Sequence, residues 1–144
     1  MIHISPAHPA DAFEIDLRAE DLYEVALHGS PDWRMRLSRT LEGPGSRTGR
    51  DAKGRVLAVG GVALSPHMVA PWLLCSDLVA QHKSESWRFF KSFVAHLREH
   101  ADGRLIGNYV PKDCPRNRAF LLALGFHILP SPAGLFDFFY LPHG

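Results

Sequence analysis

A chain of 144 residues with 46% hydrophobic and 22% charged side chains has the size and balance of one globular domain around one packed core, and is neither disordered nor fibrous. Its 16 Lys and Arg against 15 Asp and Glu leave no global field to hold it on nucleic acid or on an acidic membrane. Cys75 and Cys114 form no CxxC pair, which argues against a disulfide framework or a Cys-based zinc site and points to a reducing, cytoplasmic setting. The segment Met1–Arg18 carries acids and prolines where an export signal needs a basic start and an apolar run. Val56–Leu64, the longest apolar stretch, is far short of the ~20 residues that span a bilayer, so no membrane segment is expected.

Met1–Ile4 predicts a short strand, punctuated by Pro6 and Pro9. Leu17, Asp21 or Leu22, and Val25 recur at helical spacing with Gly29 as a stop, which predicts a helix at about 19–28. Ser30-Pro31 offers an N-cap and a first-turn proline for a second helix with Trp33, Leu37 and Leu41 on one face. Gly43–Gly54 is rich in Gly, with Arg47, Arg50, Lys53 and Arg55 in or beside it, but it lacks both GxxxxGK[ST] and GxGxxG. A hairpin turned at Asp51–Gly54 explains it better than a phosphate loop. Val56–Leu64 reads as a central strand covered on both faces, and Pro71–Val79 as its neighbour. From Ser84, the spacing of Trp87, Phe90, Val94, Leu97 and Ala101 predicts a long helix closed by Gly103. Arg104–Val110 follows as a strand, Pro115–Leu124 as a helix stopped by Gly125, and Phe126–Leu129 and Phe136–Tyr140 as the last two strands. A meander followed by a crossover helix gives an α/β (α+β) domain with a mixed sheet.

Cys114–Phe126, ending in Leu-Gly-Phe, resembles the final helix and turn of the GNAT (GCN5-related N-acetyltransferase) family. Leu17–Asp21 with Glu24-Val25, Gly60–Val62, Pro71–Leu74 with Asp77, and Asn108–Val110 extend the resemblance over residues 16 to 126, closest to the GNAT-like proteins of tailed phages that include the internal virion protein A group. The resemblance implies a twisted, mainly antiparallel sheet of about six to seven strands, with helices on both faces. Two parallel central strands, Pro71–Val79 and Arg104–Val110, would splay into a V-shaped slot for acetyl-CoA. It further implies that the loop Ala80–Ser86 meets the cofactor phosphates, with Leu78, Val79, His82, Lys83, Ser84 and Ser86 as contacts and Cys114 and Asn117 joining from the last helix. Asp77 or His82 would relay the amine proton, and Asn108 and Tyr109 would orient the acceptor. Against these roles, Asp77 equally reads as a turn cap, His82 and Lys83 as solvated residues, and Asn108 and Tyr109 as a loop anchor and a half-buried strand residue. The loop lacks the family's glycines, Cys114 stands where many members place Asn, and Leu121 stands where a proton-donating Tyr is common.

His96-Leu97-Arg98-Glu99-His100 matches an H-x-x-E-H pattern, yet Glu99 is the last glutamate and His96 points away from the apolar stripe. A solvated helix face is expected, with no metal cofactor. Two functions stand side by side: an acetyl-CoA-dependent N-acetyltransferase acting on an amine, or a catalytically degenerate GNAT fold that binds a phage or host protein in the host cytoplasm or the virion.

Overall fold

The computed structural model describes residues 1–29 and 31–143, so the expected cap at Ser30 lies outside the described residues. The chain falls into two compact units, one of Met1–Val62 with Trp72–Trp87 and one of Ala63–Pro71 with the chain from Arg88 onward.

In the first unit, β1 (His3–Pro6) pairs antiparallel with β2 (Arg47–Arg50), and β2 with β3 (Val56–Leu64). The Arg-rich segment is the expected hairpin. Gly54 N donates to Asp51 O at 2.9 Å, and Gly54 adopts φ +81°, which glycine tolerates without a Cβ clash. The buried Asp51 carboxylate accepts the backbone N–H groups of Lys53 and Arg55 and the Arg55 guanidinium. Helices α1 (Asp11–Glu14), α2 (Ala19–Leu27) and α3 (Trp33–Leu41) precede β2. Leu37 and Leu41 of α3 enter a core with Ala12, Ile15, Leu17, Val56, Val59 and Leu74. Arg34 fastens the helices together: its Nη1 donates to the carbonyls of Ala12 and Ile15.

The second unit holds most of α4 (Lys83–His100), then β5 (Leu105–Pro111), α5 (Pro115–Ala123), β6 (His127–Leu129) and β7 (Phe136–Leu141). Phe90, Val94, Leu97 and Ala101 are buried, as the helical spacing predicts, and Phe90 packs edge-on to Phe120 of α5 at 5.0 Å. Asp137 of β7 ties α5 down by accepting from Arg118 and from Ser131 N, each at 2.8 Å. β5 and β7 approach so closely at Gly107 that an added Cβ would lie 2.6 Å from Phe139 O and 2.7 Å from Phe138 Cζ. Gly107→Ala is therefore expected to cost about 1–3 kcal/mol and to lower the Tm by several degrees in a circular-dichroism melt. An unchanged Tm would mean that the strands yield freely there.

The strands hydrogen-bond in the order β1-β2-β3-β4-β5-β7-β6, where β4 is Met68–Cys75. β4 and β5 run parallel in a sheet that is otherwise mainly antiparallel, with flanking helices, as expected. Two expectations need correction. β4 begins at Met68 and ends at Cys75, so Leu78 and Val79 are not strand residues; they lie in a 3₁₀ turn, Asp77–His82. Ser76 ends the strand, because its Oγ accepts from Leu78 N and its O from Val79 N, which starts the turn. β3 is buried only at Val56–Val59 and Gly61, while Leu64 is 64% exposed. On α2, of the two alternatives for the inward position, the structure takes Asp21, and Leu22 faces out.

Candidate functional site

The parallel register of β4 and β5 runs through Met68↔Leu105 and Val69↔Ile106. Two residues further on, Pro71 has no N–H to offer a ladder. There a side chain takes over: Asn108 Nδ2 donates to Pro71 O at 3.0 Å, while Asn108 Oδ1 accepts from Tyr109 N at 2.8 Å. Both ends of the Asn108 amide are thus engaged by backbone at the level where the ladder gives way to a side-chain bridge.

In the first unit, the end of β4 is held from two directions. Ser76 N donates to Leu57 O on the β3 edge. Strand alternation turns Cys75 to the opposite edge. There Cys75 N donates to Asp21 Oδ2 at 2.6 Å and Cys75 O accepts from Arg18 N at 2.9 Å. Asp21, 2% exposed, also accepts from Arg18 Nε and Nη2 at 3.3 and 3.2 Å. Glu24 lies one turn along α2 from Asp21, on the same helix face. Burial, reinforced by the Asp21 charge and eased by Arg18, pushes the Glu24 carboxyl up to about 7. A carboxyl poised there exchanges a proton near neutral pH, as a general base must.

The same cluster silences Cys75. Burial and the neighbouring Asp21 charge push its thiol up to about 12. Cys114, at the N-cap of α5, is fully buried. Native protein at pH 8 is accordingly expected to react with no more than a trace of a thiol-specific disulfide reagent, and to release two equivalents only in denaturant. Rapid labelling of the folded chain would contradict this burial.

The expected phosphate loop is not a loop. Ala80, Gln81 and His82 complete the 3₁₀ turn, which runs straight into α4 at Lys83. The free N–H groups of a helix start therefore move back toward Asp77, where the Ser76 hydroxyl already caps that of Leu78. Asp77, Lys83 and Ser84 are exposed, and His82, Leu78 and Val79 half-buried. Ser76, not Asp77, is the cap. Ser86 is 4% exposed, and its Oγ has no hydrogen-bond partner among the described residues, an orphaned hydroxyl in the first turns of α4. The segment to which the resemblance assigns the phosphate contacts is thus a continuous helical run that contains one buried hydroxyl. In the second unit, Tyr109 is 57% exposed and meets Phe138 edge-on at 5.3 Å, and Asn117 is half-buried on α5. His96, Glu99 and His100 are all exposed, on a solvent-facing helix side as expected.

Sequence reasoning passed over Asp21 and Glu24 as functional groups. The signal was an acid standing in the apolar stripe between Leu17 and Val25, with Arg18 three residues before it and Glu24 three after.

No protein-family model and no curated protein matches the sequence. Solved structures do match in three dimensions. The ribosomal-protein-S18-alanine N-acetyltransferase of Escherichia coli superposes with TM-score 0.64 at 15% identity, covering 99% of this chain and 94% of that one. A GNAT-family acetyltransferase from Listeria monocytogenes gives 0.60 at 12% identity, covering 97% and 95%. The PaiA N-acetyltransferase of Thermoplasma acidophilum, solved with coenzyme A, gives 0.61 at 12%, covering 96% and 98%. At these identities the likeness is one of architecture, and in architecture the chain has the GNAT fold.

Proposed function

We propose that this chain is an acetyl-CoA-dependent N-acetyltransferase whose chemistry lies at the C-terminal end of β4. The observation that carries the reading is the buried Asp21 that accepts the Cys75 N–H and the Arg18 guanidinium at that strand end, with Glu24 one helical turn away and its carboxyl pushed up to about 7 by burial. Pro71, Leu73 and Cys75 share one edge of β4. Pro71 lacks an N–H, and the Cys75 N–H is given to Asp21, which leaves Leu73 to donate to the acyl carbonyl oxygen as charge develops there. Glu24 takes a proton from the acceptor ammonium, and the freed amine nitrogen forms the new C–N bond. The C–S bond breaks and the nitrogen gives its second proton to water as the amide forms, while the thiolate takes a proton from water, since Leu121 supplies no acid. Asn108 serves the fold by bridging to Pro71.

A second reading has its own support: the closed 3₁₀ turn in place of a glycine loop favours a GNAT domain that has exchanged cofactor binding for contact with a phage or host protein, as the resemblance to the internal virion protein A group suggests. Calorimetry with acetyl-CoA separates the two. Binding at micromolar Kd supports the transferase, and no heat up to about 1 mM supports the interaction module.

A further inference from the structure

The last two turns of α4 gather a ligand set that the proposed reaction does not use. His96 and His100 stand at i and i+4 on one exposed face, with Glu99 beside them. One ligand atom from each, two imidazole nitrogens and a carboxylate oxygen, lie within 4.8 Å of one another. The two ring centroids lie 4.1 Å apart, with 34° between the ring planes. A divalent ion with bonds of about 2.0–2.2 Å holds tetrahedral ligands about 3.4 Å apart. Rotation of three solvent-exposed side chains closes that gap with no movement of the backbone.

Orientation is partly built in. His100 Nδ1 lies 3.0 Å from His96 O, and only a protonated nitrogen satisfies a carbonyl, so the neutral ring keeps its Nε2 lone pair outward. This is the arrangement in which a backbone carbonyl fixes the tautomer of a metal-binding histidine. Arg98, the cation nearest in sequence, is turned aside: its Nη1 donates to Pro142 O at 2.7 Å.

We infer that His96, Glu99 and His100 form a solvent-facing chelate for a divalent first-row ion, with water in the remaining positions. Two imidazoles and one carboxylate select borderline ions in the order Cu²⁺ above Ni²⁺ and Zn²⁺, and discriminate against Ca²⁺ and Mg²⁺. The open coordination suits reversible capture at a surface. The chelate is independent of acyl transfer and of any acyl donor.

The test uses the full chain carrying no affinity tag. Calorimetric titration with CuCl₂ and ZnCl₂ is expected to give one site of micromolar Kd for Cu²⁺ and weaker binding of Zn²⁺. Both His96→Ala and His100→Ala should weaken Cu²⁺ binding at least tenfold, and Glu99→Gln by a smaller factor. Electron paramagnetic resonance of the copper complex should show two equatorial nitrogens. Because all three side chains are exposed, circular dichroism should show the variants folded. Absence of binding up to 100-fold molar excess, or undiminished affinity in both histidine variants, would overturn the inference by placing any bound ion elsewhere among the histidines.

Discussion

Glu24→Gln should abolish most acetyl transfer while leaving the fold intact. General bases contribute on the order of 10²–10⁴-fold, so kcat is expected to fall at least about 100-fold, with a smaller change in the KM for the acyl donor. The pH dependence carries the sharper signature. Wild-type kcat should rise with pH through about 7, as Glu24 loses its proton, and then level off; the Gln variant should show no such limb. Stability should move in the opposite sense. The folded-state pKa lies above the ordinary glutamate value, so between pH 4.5 and about 7 the native protein binds the extra proton and stability falls as pH rises. Replacing Glu24 by Gln removes that loss, and the variant should be no less stable than wild type at pH 8. A slow enzyme that is equally or more stable separates a chemical role from a structural one. Unchanged kcat and an unchanged pH profile would remove Glu24 from the reaction.

The second large effect belongs to Asp21. Asp21→Ala deletes the acceptor of two Arg18 guanidinium bonds and of the Cys75 N–H in one step. Arg18 loses both of its bonds to Asp21, and an orphaned amide remains beside the end of β4. Breaking a buried ion pair from one side costs about 3–5 kcal/mol, and the partial exposure of Arg18 places this case near the lower end, roughly 3 kcal/mol. Urea unfolding should register it as a lower midpoint with a similar m-value. Asp21→Asn keeps an oxygen for Cys75 N and should lose less. A change below about 1 kcal/mol for the alanine variant would show that the cluster does not hold the strand end.

The sequence periodicities carried most of the architecture for a physical reason. α3, α4 and the first half of the strand Val56–Leu64 each present an apolar pattern that is buried, and burial fixes both their type and their place. Reading failed where polar side chains set the geometry. The boundary of β4 depended on the Ser76 hydroxyl competing for the N–H of Leu78, a local bond that an apolar run through Leu78-Val79 conceals. The segment Ala80–Ser86, with no proline or glycine to break it, coiled onto the front of α4, although the family resemblance implied a loop. Asp21 and Glu24 were visible as residues of a helix and of the stretch that carries the family resemblance, with no chemical role. That one accepts a strand's N–H and the other is driven toward neutrality by burial follows from tertiary placement, which periodicity does not encode.

The end of β4 is the place where the account stands or falls, and amide-resolved NMR of the ¹⁵N-labelled chain titrated with acetyl-CoA tests it directly. Saturable shifts should centre on the Leu73 amide and its strand neighbours, with the Glu24 amide following and the Glu24→Gln variant binding with similar affinity. A spectrum that stays still along Trp72–Cys75 at millimolar acetyl-CoA, or that moves only at distant residues, would contradict an acyl-transfer site at this strand.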